Sequence, residues 1–217
     1  MIVDGSRVHG HVGKTRLMAI SGNTAYHDLG GLPELVRAAV ALAESQSFDN
    51  SCRPEHGRLL SVLAAGWIGG RIGETGAGCG VGLAWMVDAT DRNTDLYSVE
   101  IDGDRAAASA ELFAGYDNVS VIHGDWTALR QHGPFDVLVL DGGGKGKDPT
   151  RDSPLDPADG WLAIGGIVVL DDFTPAGEPG ASDHDAARRH WLDHPALHAT
   201  EIRLAPDLAT IIGVRYR

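Results

Sequence analysis

Between residues 74 and 82 the chain reads Glu74-Thr75-Gly76-Ala77-Gly78-Cys79-Gly80-Val81-Gly82. Glycines at alternate positions let a backbone turn tightly and approach a ligand closely, and without such a use they cost chain entropy. The dinucleotide fingerprint G-x-G-x-x-G/A does not fit: its sixth position is Val81 counted from Gly76 and Leu83 counted from Gly78. A Walker lysine is also missing, which argues against a phosphate loop. Further along, two apolar runs end in acids. FDVLVLD closes on Asp141, and GGIVVLDD closes on Asp171-Asp172. Lys145 and Lys147 follow Asp141 in a Gly-rich loop. The histidines give no metal spacing. His190 and His194 are four apart, but Pro195 ends that helix at once. His56 and His123 read as structural, while Tyr26 and His27 sit in an N-terminal arm from which they could reach a substrate.

These residues need elements to position them. Apolar residues from Leu32 to Ala43 recur at three and four, which predicts a helix. Pro54 opens a second helix that runs to Gly69-Gly70. The chain then alternates. Strands are predicted at 71–75, 95–100, 118–122, 135–141 and 165–170. Helices are predicted at 81–87, 105–113, 127–131 and 183–193, with a loop at 142–157. Leu197–Leu204 and Leu208–Tyr216 read as a hairpin across Ala205-Pro206-Asp207. The expected fold is α/β: a doubly wound, mostly parallel, Rossmann-like seven-stranded sheet with a C-terminal antiparallel hairpin and an N-terminal helical extension. Residues 1–55 are expected to form that extension over the active site, and 56–217 the catalytic domain. Ligands in such sheets bind outside the carboxyl ends of the strands.

Five motifs in order resemble the class I S-adenosylmethionine-dependent methyltransferases. They are GRIGETGAGCGVG at 70–82, VEID at 99–102, HGDW at 123–126, FDVLVLDGG at 135–143 and GGIVVLDDF at 165–173. Within that group the chain is similar to the small bacterial O-methyltransferases of the catechol and caffeoyl-CoA type, from about Pro54 to the C-terminus. The resemblance implies S-adenosylmethionine bound by Glu74, Gly76, Gly78, Gly80, Glu100, Asp125, Trp126 and Asp141. Glu100, 20 positions after Gly80, suits the ribose hydroxyls. Asp125 would contact the adenine amino group, and Trp126 would lie beside the ring. Glu74 would lie near the methionine amino group or cap the glycine loop. A side chain at Gly78 would fill space the ligand needs.

The same resemblance implies a divalent cation, Mg²⁺ by preference, on Asp141, Asp171 and Asp172. Such an ion holds acceptor hydroxyls and lowers their pKa. Asp141 and Lys145 are the implied catalytic residues. Two departures stand out. Relatives carry Asp-Asn where this chain has Asp171-Asp172, and they place lysine three residues after the fourth-strand acid, where this chain has Gly144. The expected reaction is O-methylation of a small, catechol-like acceptor. Metal-independent O- or N-methyl transfer and NAD(P)-dependent oxidation are the alternatives, the latter opposed by the glycine spacing.

Composition narrows the partners. The 217 residues carry 30 Asp and Glu against 18 Lys and Arg, a net charge of −12. No basic cluster suits nucleic acid, and an acidic chain is repelled by anionic membranes. No apolar run approaches the length of a membrane helix. The two cysteines, Cys52 and Cys79, give neither a disulfide framework nor a zinc spacing, in keeping with a cytoplasmic protein. A homodimer is a possible assembly.

Overall fold

The computed structural model describes residues 22–148, 150 and 152–217. Most of the N-terminal arm therefore lies outside the described residues. Two helices come first, α1 (Glu34–Ser45) and α2 (Pro54–Ala64), the latter with Pro at its start as predicted. The alternating part follows: β1 (Arg71–Thr75), α3 (Val81–Ala89), β2 (Asp95–Glu100), α4 (Gly103–Leu112), β3 (Val119–His123), a 3-10 segment at Trp126–His132, and β4 (Phe135–Leu140). The chain ends with β5 (Leu162–Phe173), α5 (Asp185–Leu192), β6 (Leu197–Ala205) and β7 (Leu208–Arg215).

The strands form one seven-stranded sheet in the order β3-β2-β1-β4-β5-β7-β6. β1 to β5 are parallel, and β7 and β6 add the antiparallel pair. The α/β architecture is the one predicted. Two-sided burial explains the continuous apolar runs. Val137, Val139 and Val169 pack with α1, α2 and α3, while Leu138, Leu140, Val168 and Leu170 pack with Trp161 and Trp191 on the opposite face. Strand order reverses between β1 and β4, where ligands of doubly wound sheets bind.

β5 is longer than predicted. It runs through Asp171 and Asp172, and its register against β7 shifts between Leu170 and Phe173. Asp172 has φ +65, unusual for a residue other than glycine. Such an irregularity re-aims side chains that would otherwise alternate between faces. Among the described residues no helix is long and apolar enough to cross a membrane.

Candidate active site

The glycine turn leaves β1 and enters α3 with Gly76, Gly78 and Gly80 all at positive φ. The amides of Gly76 and Ala77 donate to Val99 O, which binds the turn to the end of β2. A Cβ on Gly76 would come within 2.5 Å of Gly142 N, so the loops after β1 and β4 touch backbone to backbone. A Cβ on Gly78 would meet the Phe48 ring at 2.7 Å. A side chain at 78 would therefore press on Phe48, which lines the same cavity as Gly78. Gly80 faces Phe113 and serves α3 packing, away from the cleft.

Glu100 sits at the end of β2, almost wholly buried. Its Oε2 accepts from Gly78 N at 2.8 Å, and its Oε1 accepts from Asp102 N at 2.9 Å and from Arg105 at 2.7 Å. Glu100 is thus the acid that caps the glycine loop. Glu74 lies beneath the loop at 2 % exposure, bonded to Ser98 Oγ at 2.5 Å, and does not line the cleft. Burial, opposed by the Ser98 hydrogen bond and the His56 charge, pushes its carboxyl up to about 7.

A cavity of about 370 Å³ follows the turn. Gly76, Gly78, Glu100, Asp125, Trp126 and Asp141 all line it. Asp125 caps the 3-10 segment by accepting from Thr127, and Trp126 packs against Trp161 at 5.6 Å. Gly143 is required here, since a Cβ would lie 2.1 Å from the Trp126 ring. Phe48 and Asn50, from the segment between α1 and α2, also line this cavity. Neither residue belongs to a motif in the sequence, since 48–53 is a polar stretch between two helical patterns. An aromatic residue in that polar stretch was the available signal.

A second cavity, about 400 Å³, adjoins the first and shares Asn50, Asp141 and Asp172 with it. Ser51, Arg53, Asp171, Phe173 and the hairpin residues Asp207 and Leu208 complete much of its wall. Arg53 bonds Asp207 at 2.9 Å and Glu55 at 3.3 Å, tying the segment to the hairpin turn. Tyr26 and His27 do not reach either cavity, which corrects that expectation. Tyr26 is buried between Trp85 Nε1 and Cys52 O, and His27 pairs with Glu44 at the surface.

Side-chain oxygens of Asp141, Asp171 and Asp172 lie within 4.8 Å of one another. Burial and the neighbouring Asp171 raise the Asp141 carboxyl well above the carboxylate range. Burial also opposes ionisation of Asp171, but the His56 charge and contact outweigh it and hold Asp171 at about 2. Three carboxylates without nitrogen or sulfur ligands form a donor set that fits Mg²⁺ or Mn²⁺.

Lys145 reaches this cluster despite its shifted place in the sequence. Its Nζ donates to Asp141 O and lies 3.9 Å from Asp141 Oδ1 and from Asp172 Oδ2. Positive φ at Gly144 and Gly146 bends the loop, and Asp152 holds it by accepting from both amides. Lys147 donates to Asp172 O, and burial followed by the Lys145 charge lowers it to about 8. His123 is exposed, and His190 and His194 lie together on the α5 side.

The architecture and the glycine-turn cleft define the class I methyltransferase fold. Residues 74–173 match the family model described as a methyltransferase domain. No curated protein matches the chain. Among solved structures, the O-methyltransferase TomG from Streptomyces achromogenes, involved in tomaymycin synthesis, superposes with TM-score 0.69 and 17 % identity, over 90 % of this chain and 96 % of that one. An O-methyltransferase from Bacillus cereus in complex with S-adenosylhomocysteine gives 0.68 and 14 %, over 89 % and 96 %. Rv0187 from MTB, cofactor-bound, gives 0.69 and 19 %, over 89 % and 95 %.

The buried Glu74 makes stability depend on pH in a stated direction. Its folded pKa of about 7 stands above the ordinary 4.5. The protonated acid therefore favours the fold below 4.5, and that contribution is lost as pH rises through 7. Glu74→Gln should remove the decline, which is on the order of 3 kcal/mol for this shift. Denaturant melts at pH 4.5 and 7.5 measure it. Equal pH dependence in the parent and Glu74→Gln would contradict the assignment.

Proposed function

We propose that the protein is an S-adenosylmethionine-dependent O-methyltransferase acting on a small hydroxylated, catechol-like acceptor with help from a divalent cation. The observation that carries this reading is the pair of adjoining cavities that share Asp141 and Asp172. The first would take the methyl donor, with Glu100 on the ribose and Trp126 beside the adenine. The second would take the acceptor. The similar structures include O-methyltransferases holding S-adenosylmethionine or S-adenosylhomocysteine, which supports oxygen as the atom methylated.

Methyl transfer from a sulfonium requires in-line placement more than covalent help. Walls from 48–53 and the hairpin turn orient the acceptor and exclude water, and on this reading residues 1–55 act as a cover on the 56–217 domain. Asp141, Asp171 and Asp172 would hold the cation. Such an ion, when bound, lowers the pKa of an acceptor hydroxyl and fixes its oxygen. Lys145, between Asp141 and Asp172, is the base assigned to the hydroxyl proton.

Calorimetry with S-adenosylhomocysteine and NAD tests the cofactor assignment. Glu100→Ala should weaken S-adenosylhomocysteine binding by about 1.5–3 kcal/mol, the scale of hydrogen bonds to a charged group. Tight NAD binding without S-adenosylhomocysteine binding would favour the oxidoreductase instead. Methyl transfer to a catechol panel, with and without chelator, tests the reaction.

A further inference from the structure

The ring of His56 is the most buried polar group near the acidic cluster whose purpose the proposed chemistry does not explain. It stands in the first turn of α2 at 1 % exposure. Its Nδ1 lies 2.6 Å from Asp171 Oδ2 as an ion-pair contact, and neither ring nitrogen has a hydrogen-bond partner. Burying a polar ring without a hydrogen bond is costly, and an apolar side chain would pack there without that loss. The contact with Asp171 is what the ring provides in return. The other Asp171 oxygen, Oδ1, accepts from Asp172 N at 2.6 Å. Asp171 is thus gripped at both oxygens, once by its own bulged strand and once by a helix far away in sequence.

We propose that His56 is a positioning residue for the cation site: it fixes the Asp171 carboxylate so that its remaining lone pairs face Asp141 and Asp172. This rests on the reading of the three aspartates as cation ligands. Outer partners of metal ligands act in this way, and losing one typically weakens metal binding 10- to 100-fold. The placement has a second consequence. α2 follows directly on 48–53, which lines both cavities. The first turn of α2 therefore joins the acceptor wall to the proposed cation ligand Asp171.

The test measures Mn²⁺ affinity of the full chain by calorimetry, with S-adenosylhomocysteine affinity and the Mn²⁺-induced rise in Tm alongside. His56→Ala should weaken Mn²⁺ about 10- to 100-fold and shrink the Tm rise, with S-adenosylhomocysteine affinity within about threefold of the parent. His56→Asn, which offers an amide nitrogen near the Nδ1 position, should recover most of the Mn²⁺ affinity. If His56→Ala does not fold, His56→Gln against His56→Asn decides, because Gln carries its donor one bond further out and should bind Mn²⁺ more weakly. Parental Mn²⁺ affinity in His56→Ala, or in His56→Gln, would overturn the proposal and leave the cation reading standing. A parent chain that binds no Mn²⁺ would overturn both.

Discussion

Asp141→Asn is expected to cut methyl transfer by at least about 100-fold, and EDTA should do the same to the parent. Mg²⁺ or Mn²⁺ should restore only the parent. Asp141 lies where the two cavities meet, so on the proposed reading the amide would remove a cation ligand from the point where acceptor oxygen and methyl donor would come together. A 100-fold loss corresponds to about 2.7 kcal/mol of transition-state stabilisation, within the several kcal/mol that metal-assisted activation supplies. The fold should not suffer. Burial and Asp171 already disfavour the charged form of Asp141, so the amide should leave Tm unchanged or raise it. Single-turnover assays with S-adenosylhomocysteine titrations separate chemistry from binding. Full parental activity in EDTA, with residual metal excluded by elemental analysis, would transfer the chemistry to Lys145 alone.

Gly76→Ala should be the most damaging single-methyl change in the cofactor cleft. Its Cβ would stand 2.5 Å from Gly142 N and 2.7 Å from Gly142 Cα, both backbone atoms that no rotamer change can move. The residue also has φ +86. Left-handed backbone alone costs a non-glycine residue about 1–2 kcal/mol. Gly177→Ala isolates that part, because Gly177 has φ +90 and nothing within 4 Å of its Cβ. Gly177→Ala should lose a few degrees of Tm, about 2–4 °C per kcal/mol at this size, and keep S-adenosylhomocysteine affinity. Gly76→Ala should lose clearly more Tm and at least about 100-fold in S-adenosylhomocysteine affinity. Equal Tm losses in the two variants, with affinity intact, would show that the contact between the loops after β1 and β4 is not needed.

Much of the fold was legible because it follows local rules. The runs FDVLVLD and GGIVVLDD read as strands covered on both faces, and Pro54 opens α2 as a helix signal does, whereas the helix stops at Ala64, short of the expected Gly69-Gly70. Motif order also gave the cleft: the glycine turn, Glu100, Asp125, Trp126 and Asp141 meet around one cavity apart from Glu74 and Gly80, which stand behind its wall. Those two differ for a reason no spacing reveals. Alternation along β1 sends Glu74 beneath the loop to Ser98 on the neighbouring strand, and α4 brings Phe113 against Gly80.

What the sequence determined by itself is the set of strand ends and the chemistry each carries, since strand periodicity and turn glycines are encoded within a few residues. Only the tertiary structure decided which distant groups those ends meet. His56 and Asp171 are 115 positions apart, yet they touch because α2 packs beside the end of β5. Lys145 reaches Asp172 because two left-handed glycines and Asp152 fold its loop back over β4. Both aspartates at 171 and 172 join one cluster because β5 breaks its alternation there. Each of these contacts depends on packing between elements, and packing is a property of the assembled sheet that no single stretch of sequence contains.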